Sequence, residues 1–261
     1  MTRHLAAAVA AILPAIFALG NPRAASAAPQ EFQSPAAQVT LVELYTSEGC
    51  SSCPPAEAWL SHFKDSPGLW KTFVPVAFHV DYWDHLGWPD PWASKAFTER
   101  QRAYAAAWNT STIYTPAFVR NGHEWQQWRE SGTPYEPTTA KSGILHASST
   151  DGTEWKITFT PGKDLTGGEY EIHAALLGSA LHSNVRAGEN KGRQLIHDFV
   201  VLAITQAPAQ SQEGKKEATI KLPIKQPNPD SKDTGKPAIA IWITRPGDPA
   251  PLQSTGAWLT Q

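Results

Sequence analysis

The stretch "LVELYTSEGCSSCPPAEAWLSHFK", residues 41 to 64, sets the only two cysteines of the chain, Cys50 and Cys53, between an apolar run and a helix-forming run. Residues 38 to 46 are apolar and β-branched and read as a buried strand. Behind the cysteines, Pro54 and Pro55 suit a first helical turn, and Trp59, Leu60 and Phe63 follow at helical spacing. A helix is therefore expected to begin at Cys53 or just after it. "TFVPVAFHVDYW", residues 72 to 83, supplies a second strand. Strand, helix, strand is a right-handed crossover, which leaves few topologies open to this part of the chain.

Residues 90 to 109 open on Asp90-Pro91 and continue in strong helix formers, which predicts a helix. "TPAFVRNGHEW", residues 115 to 125, reads as a short strand with Asn121-Gly122 as a hairpin turn. From Gly143 the texture changes. "GILHASST", "WKITFTP", "EYEIHAALLG", "QLIHDFVVLAITQ", "ATIKLPI" and "AIAIWITRP" are short β-rich segments separated by Gly, Asp and Pro turns, as in a sandwich. "APAQSQEGKK" and "KQPNPDSKDTGK" lack apolar periodicity and are expected to be exposed loops. The expected organisation is an α/β unit over residues 38–135, with a helical insertion, and a β-rich unit over residues 143–261, divided within residues 129 to 143.

A content of 41% hydrophobic residues in 261 fills an ordinary core. The formal net charge of -2 gives no general attraction to phosphate backbones, so nucleic acid is not an expected partner. At the start, Arg3 and His4 precede an apolar run from Leu5 to Gly20, and Ala25-Ser26-Ala27 has the A-x-A pattern of a cleavage site. Residues 1–27 thus read as a signal peptide, and the mature protein is expected to be secreted or periplasmic. The apolar run spans about 16 residues against the ~20 of a spanning helix, so no membrane span is expected after cleavage. An oxidising compartment lets a disulfide persist. A bridge across C-x-x-C, however, closes so small a loop that it removes little unfolded-state entropy, which weakens a purely structural reading.

Before a helix start, unpaired backbone N–H groups and the helix dipole favour thiolate, the nucleophilic form of cysteine. Cys50 is then the attacking thiol and Cys53 the resolving one. C-x-x-C also opens zinc sites, but no second such pair exists here. Thr115-Pro116, at the start of a strand, can adopt the cis form and set backbone polar groups beside the sulfurs. His79 ends the strand nearest the cysteines and, with Cys50 and Cys53, could complete a soft, copper-type metal site. No cofactor is expected otherwise. "HVDYWDHLGWPDPW", residues 79 to 92, either shapes a substrate groove with its aromatic residues or packs onto its own unit. "SNVRAGENKGRQLIHDFVV", residues 183 to 201, carries Arg186, Glu189, Asn190, Lys191, Arg193 and His197. It reads either as a hairpin loop with exposed ion pairs or as a turn folded back to place groups near Cys50.

In combination, "LVELYTSEGCSSC", "FVPVAFHVDYW" and "YTPAFVRNG" resemble the redox loop, central strand and cis-proline strand of the thioredoxin superfamily, over residues 38 to 130. More narrowly, these segments together with "RAGENKGRQLIHDFVVL" resemble a family of exported bacterial thioredoxin-like proteins of unknown function. The resemblance implies a thioredoxin-like N-terminal domain, a thiol-disulfide oxidoreductase activity, and a redox partner protein or thiol substrate. It also marks Glu43 as the counterpart of a buried acid that assists proton transfer, although Glu43 could equally face solvent or pair with a base. The loop departs from ordinary thioredoxins, with Gly49 before the first cysteine and Ser51-Ser52 between the two. A metal-delivery protein, or a non-catalytic interaction module with a structural disulfide, stands as the alternative. No phosphate-binding glycine loop or serine nucleophile elbow is present.

Overall fold

The computed structural model describes residues 30–136, 138–165, 167–222 and 235–260. The expected leader at 1–27 and most of "KQPNPDSKDTGK" lie outside the described residues. In chain order the elements are β1 (Gln30–Gln33), β2 (Thr40–Thr46), α1 (Pro54–Ser61), β3 (Phe73–His79), α2 (Lys95–Ala107), β4 (Ala117–Arg120) and β5 (His123–Glu124). There follow β6 (Gly143–Ser149), β7 (Glu154–Pro161), β8 (Glu171–Gly178), β9 (Leu181–Asn184), β10 (Gln194–His197) and β11 (Val200–Pro208). The chain then runs through β12 (Gln210–Gln212), β13 (Lys215–Lys221), β14 (Ala238–Thr244) and β15 (Gln253–Trp258).

An eight-stranded sheet of order β15-β14-β8-β11-β3-β2-β4-β5 crosses the whole molecule. β2 and β3 are parallel, as the crossover requires, and β4 runs antiparallel to β2. This corrects the expected fold class. In place of an α/β thioredoxin-like N-terminal domain beside a separate β-rich domain, strand far outweighs helix, with two α-helices among the described residues. Its largest sheet joins strands from both halves. The join is the free side of β3, which takes β11 as a parallel neighbour at Val200↔Ala77. β11 then carries β8, β14 and β15 with it.

Three cores follow from this sheet. On one face, Phe97 and Tyr104 of α2 pack on Leu41, Tyr45, Val76 and Phe78, and the layer extends to Ala240 and Trp242. On the other face, Ala56 and Leu60 of α1 cover Val42, Leu44, Phe73 and Ala77. Farther along that face a five-stranded antiparallel sheet, β1-β6-β7-β13-β12, meets β8 and β14 through Trp155, Ile157, Phe159, Ile172, Ile239 and Ile241. Each large apolar side chain so buried contributes roughly 1.5–3 kcal/mol.

Two expectations change in detail. "APAQSQEGKK" is a β-hairpin, because Glu213 and Gly214 take left-handed φ values of 48° and 79° and join β12 to β13. "QLIHDFVVLAITQ" is two strands, broken at Asp198-Phe199 where Phe199 has φ 61°. That break turns His197 inward below α1 before β11 enters the large sheet.

Candidate functional site

Cys53 is the N-cap of α1, with Pro54 and Pro55 in the first turn, and its carbonyl accepts from the N–H groups of Ala56 (2.9 Å) and Glu57 (3.1 Å). Cys50 lies one turn earlier: its N–H donates to the Ser47 carbonyl, and its own carbonyl accepts from Cys53 N–H, both at 3.2 Å. The two thiols are free, and their residues are 1% and 0% exposed. Cys50 Sγ lies 3.3 Å from Ser52 Oγ and 3.8 Å from the Thr115 carbonyl oxygen. The Thr115–Pro116 peptide bond is cis.

The two thiols are electrostatically unequal. A hydrogen bond from Cys53, against the opposing effect of burial and with help from Ser52 and Thr115, lowers Cys50 to about 6. Burial, then the neighbouring Cys50 sulfur, raises Cys53 far above an ordinary thiol. One sulfur is thus disposed to be thiolate at neutral pH while the other keeps its proton.

Two segments cover the pair. In the turn Asp81–Leu86, Trp83 Nε1 donates to Thr115 Oγ1 at 2.8 Å. Trp83 lies so close to Gly49 that a Cβ there would meet Trp83 Cβ at 2.8 Å and its carbonyl oxygen at 3.3 Å, so any larger residue at this position forces Trp83 to shift. From the β9–β10 loop, the fully buried Asn190 donates from Nδ2 to the carbonyls of Glu48 and Cys50, each at 2.9 Å. Glu189 accepts from Ser51 N–H at 2.8 Å. The 183–201 stretch therefore folds back onto the cysteine loop, and the 79–92 stretch packs on its own half while framing Thr115.

Strand parity decides which acid meets the thiols. Successive side chains of a strand alternate faces, so Glu43 and Thr46 point opposite ways from β2. Glu43 lies on the α2 side, where Arg100 donates to it from Nε (2.7 Å) and Nη2 (2.9 Å) and the Tyr45 and Tyr104 hydroxyls also donate. Of the two sequence readings of Glu43, pairing with a base is the one found. Thr46 lies on the α1 side, where its hydroxyl reaches Cys53 and donates to Glu57 Oε1.

Behind Thr46 is a buried group of acids and imidazoles. His197 contacts Glu57 Oε2 through Nδ1 and Glu48 Oε1 through Nε2 (3.1 Å). His79 Nδ1 contacts Asp90 Oδ2 at 2.8 Å, and the two imidazole rings meet edge to face at 5.1 Å. Burial pushes His197 down, but Glu57 and Glu48 outweigh it and raise it to about 10. Burial also opposes ionisation of Glu57 and Asp90, yet His197 holds the first and His79 the second below the usual carboxylate range.

Of the residues singled out in the sequence, the structure brings together Cys50, Cys53, Thr115 and Pro116. Glu43 is locked to Arg100. His79 groups with Glu57 and His197 rather than with the sulfurs: ligand-type atoms of these three lie within 4.8 Å of one another, the one such group among the described residues. Sequence reading missed Thr46, Glu48, Glu57 and Asp90. Parity along β2 would have selected Thr46 over Glu43, since the apolar residues that α1 covers, Val42 and Leu44, share its face.

A crystal structure of protein AGR_C_4864 from Agrobacterium tumefaciens is similar to this chain, at 25% identity and a TM-score of 0.59, over 86% of this chain and 97% of that one. The structure of HBP35 of Porphyromonas gingivalis is similar in fold, at 10% identity and a TM-score of 0.53, over 85% of this chain and 76% of that one. Comparison with curated proteins finds no match. Residues 41–243, which span the cysteine loop, both covering segments and His197, match the family described as protein of unknown function (DUF1223), and the chain belongs to that family.

Proposed function

We propose that this protein is a thiol-disulfide oxidoreductase acting through Cys50 and Cys53. The observation that carries this reading is the inequality of the paired sulfurs: Cys50, against the Thr115 carbonyl, is lowered to about 6, while Cys53 is raised. In the reductive direction, the Cys50 thiolate attacks one sulfur of a substrate disulfide; that S–S bond breaks and the first substrate sulfur leaves as thiolate. Cys53 then attacks Cys50 Sγ in the mixed disulfide, and the Cys50–Cys53 bond forms. The second substrate sulfur departs with the proton that Cys53 gives up, and two electrons have passed to the substrate. The oxidative direction is the same pair of steps reversed, and the reduction potential of the couple selects between them.

The residue 25–27 pattern supports placing this chemistry in an exported, oxidising compartment, where the partner is a protein or small-molecule thiol. No helix among the described residues is long and apolar enough to cross a membrane. Insulin-disulfide reduction and dithiol oxidation, compared for the parent protein and Cys50→Ser, test the reading. The variant is expected to lose both activities, and equal turnover by the two proteins would overturn it.

A further inference from the structure

The group formed by Glu57, His79 and His197 lies behind the thiols and has no part in the sulfur steps above. Each of its members offers one ligand-type atom while another of its polar atoms is already held. The far nitrogen of His79, Nδ1, meets Asp90 at 2.8 Å, and Asp90 is itself fixed by the N–H groups of Glu48 and Trp92, both at 2.9 Å. The far nitrogen of His197, Nε2, meets Glu48 Oε1 at 3.1 Å, and the other oxygen of Glu48 accepts from Trp88 Nε1 at 2.6 Å. Glu57 Oε1 accepts from Thr46. Metal-binding histidines and carboxylates are typically oriented in this way, with the distal imidazole nitrogen on a carboxylate and the spare oxygen on a neutral donor.

The inward atoms are then His79 Nε2, His197 Nδ1 and Glu57 Oε2. His79 is fully buried, and its Nε2 has no hydrogen-bond partner among the described residues, an expensive state for an imidazole nitrogen. His197 Nδ1 and Glu57 Oε2 face each other across a single hydrogen bond. Among the described residues the salt bridges of Glu48, Glu57 and Asp90 are to these histidines alone, so there the three buried carboxylates have no guanidinium or ammonium partner.

We infer that Glu57, His79 and His197 are a binding site for a divalent first-row transition-metal ion, held by two imidazole nitrogens and one carboxylate oxygen. Such a donor set suits zinc and its neighbours. Metal–ligand lengths of about 2.0–2.2 Å put neighbouring ligand atoms about 3.4 Å apart in a tetrahedral site, so the present 4.8 Å span closes by an adjustment on the order of 1 Å. The ion replaces the proton shared by Glu57 and His197, which is released on binding. Neither cysteine is a ligand, so the inference stands apart from the thiol reading.

The test is a titration of the full chain and of its Cys50→Ser/Cys53→Ser variant with Co²⁺ alone. Both proteins are expected to bind one equivalent, with ligand-field absorption and no thiolate-to-cobalt charge-transfer band. His79→Ala is expected to abolish stoichiometric binding, and Asp90→Asn to weaken it by about 10–100-fold. X-ray absorption of the Zn²⁺-loaded cysteine-free variant is expected to show imidazole nitrogen and no sulfur, and this readout holds even if His79→Ala does not fold. Absence of stoichiometric binding by the parent, binding that vanishes with the cysteines, binding unchanged in His79→Ala, or a metal shell without imidazole would each overturn the inference.

Discussion

Two buried carboxylate sites lie on opposite faces of β2. On the α2 face, Glu43 meets a guanidinium and two hydroxyls, and Arg100 is further stacked over Phe78, Tyr104 and Trp242. Arginine is permanently charged and its planar fork matches a carboxylate, so this site is complete and chemically inert. On the α1 face, Glu48, Glu57 and Asp90 meet only histidines as bases among the described residues, and there one imidazole nitrogen is left over. Histidine exchanges protons and ligates metals. Burial alone therefore does not mark an acid as functional; the kind of base beside it does.

The largest effect that separates the two sites is on stability. Glu43→Gln leaves Arg100 buried beside an uncharged partner, and this is expected to cost about 3–5 kcal/mol in denaturant unfolding. Thiol reactivity in the surviving folded fraction is expected to match the parent. A loss of thiol reactivity without loss of stability would show that Glu43 does serve the cysteines.

Next in size is the loop that seals the α1 face. Asn190→Ala removes both donors to the Glu48 and Cys50 carbonyls, at an expected cost of about 1–3 kcal/mol. Cys50 is expected to alkylate faster in this variant, because Asn190 ties the β9–β10 loop to the carbonyl of this 1% exposed residue. Unchanged alkylation would place the barrier to access elsewhere. Glu189→Gln, on the exposed side of the same loop, is expected to change stability by at most about 1 kcal/mol, and thermal unfolding of the two variants side by side checks the ranking.

The thiol itself gives a pH effect outside this ranking. Cys50 falls from 9.0 unfolded to about 6 folded, so between those values the unfolded chain holds more protons. The Cys50 contribution to the stability of the reduced protein is expected to grow with pH from 6 to 9, to be fully present above 9, and to be lost as pH falls through 6, while His197, raised to about 10, contributes in the opposite sense between 6.5 and 10. Unfolding curves of reduced parent and Cys50→Ser check this: His197 acts in both, so the stability difference, parent minus variant, is expected to grow from pH 6 to 9, and a flat difference would contradict it.

What was legible in the sequence was local. β2, the cysteine loop, α1 and β3 follow one another within about forty residues, and the order strand, helix, strand dictates their parallel pairing. The Asn121-Gly122 turn was equally local. The join of β3 to β11 was not, since it rests on one register pair, Val200↔Ala77, between distant segments that each read as ordinary buried strand. The thiols were legible from their spacing, but their buried surroundings were not. Choosing Glu43 over Thr46 and Glu57 ignored the alternation of side chains along β2. Glu57, two residues past Pro55, reads as a favourable first-turn acid on any helix. His197 reaches the site only because Phe199 takes a left-handed φ, which a β-rich pattern does not announce.

The central claim is that Cys50 is the thiolate of an unequal pair. Ultraviolet thiolate absorbance of the reduced protein, followed against pH and compared with Cys50→Ser, tests it most directly and needs no reagent to enter the site. The account predicts a one-thiolate transition centred near 6 that is missing from the variant. A transition near 9, or one that persists in Cys50→Ser, would contradict it.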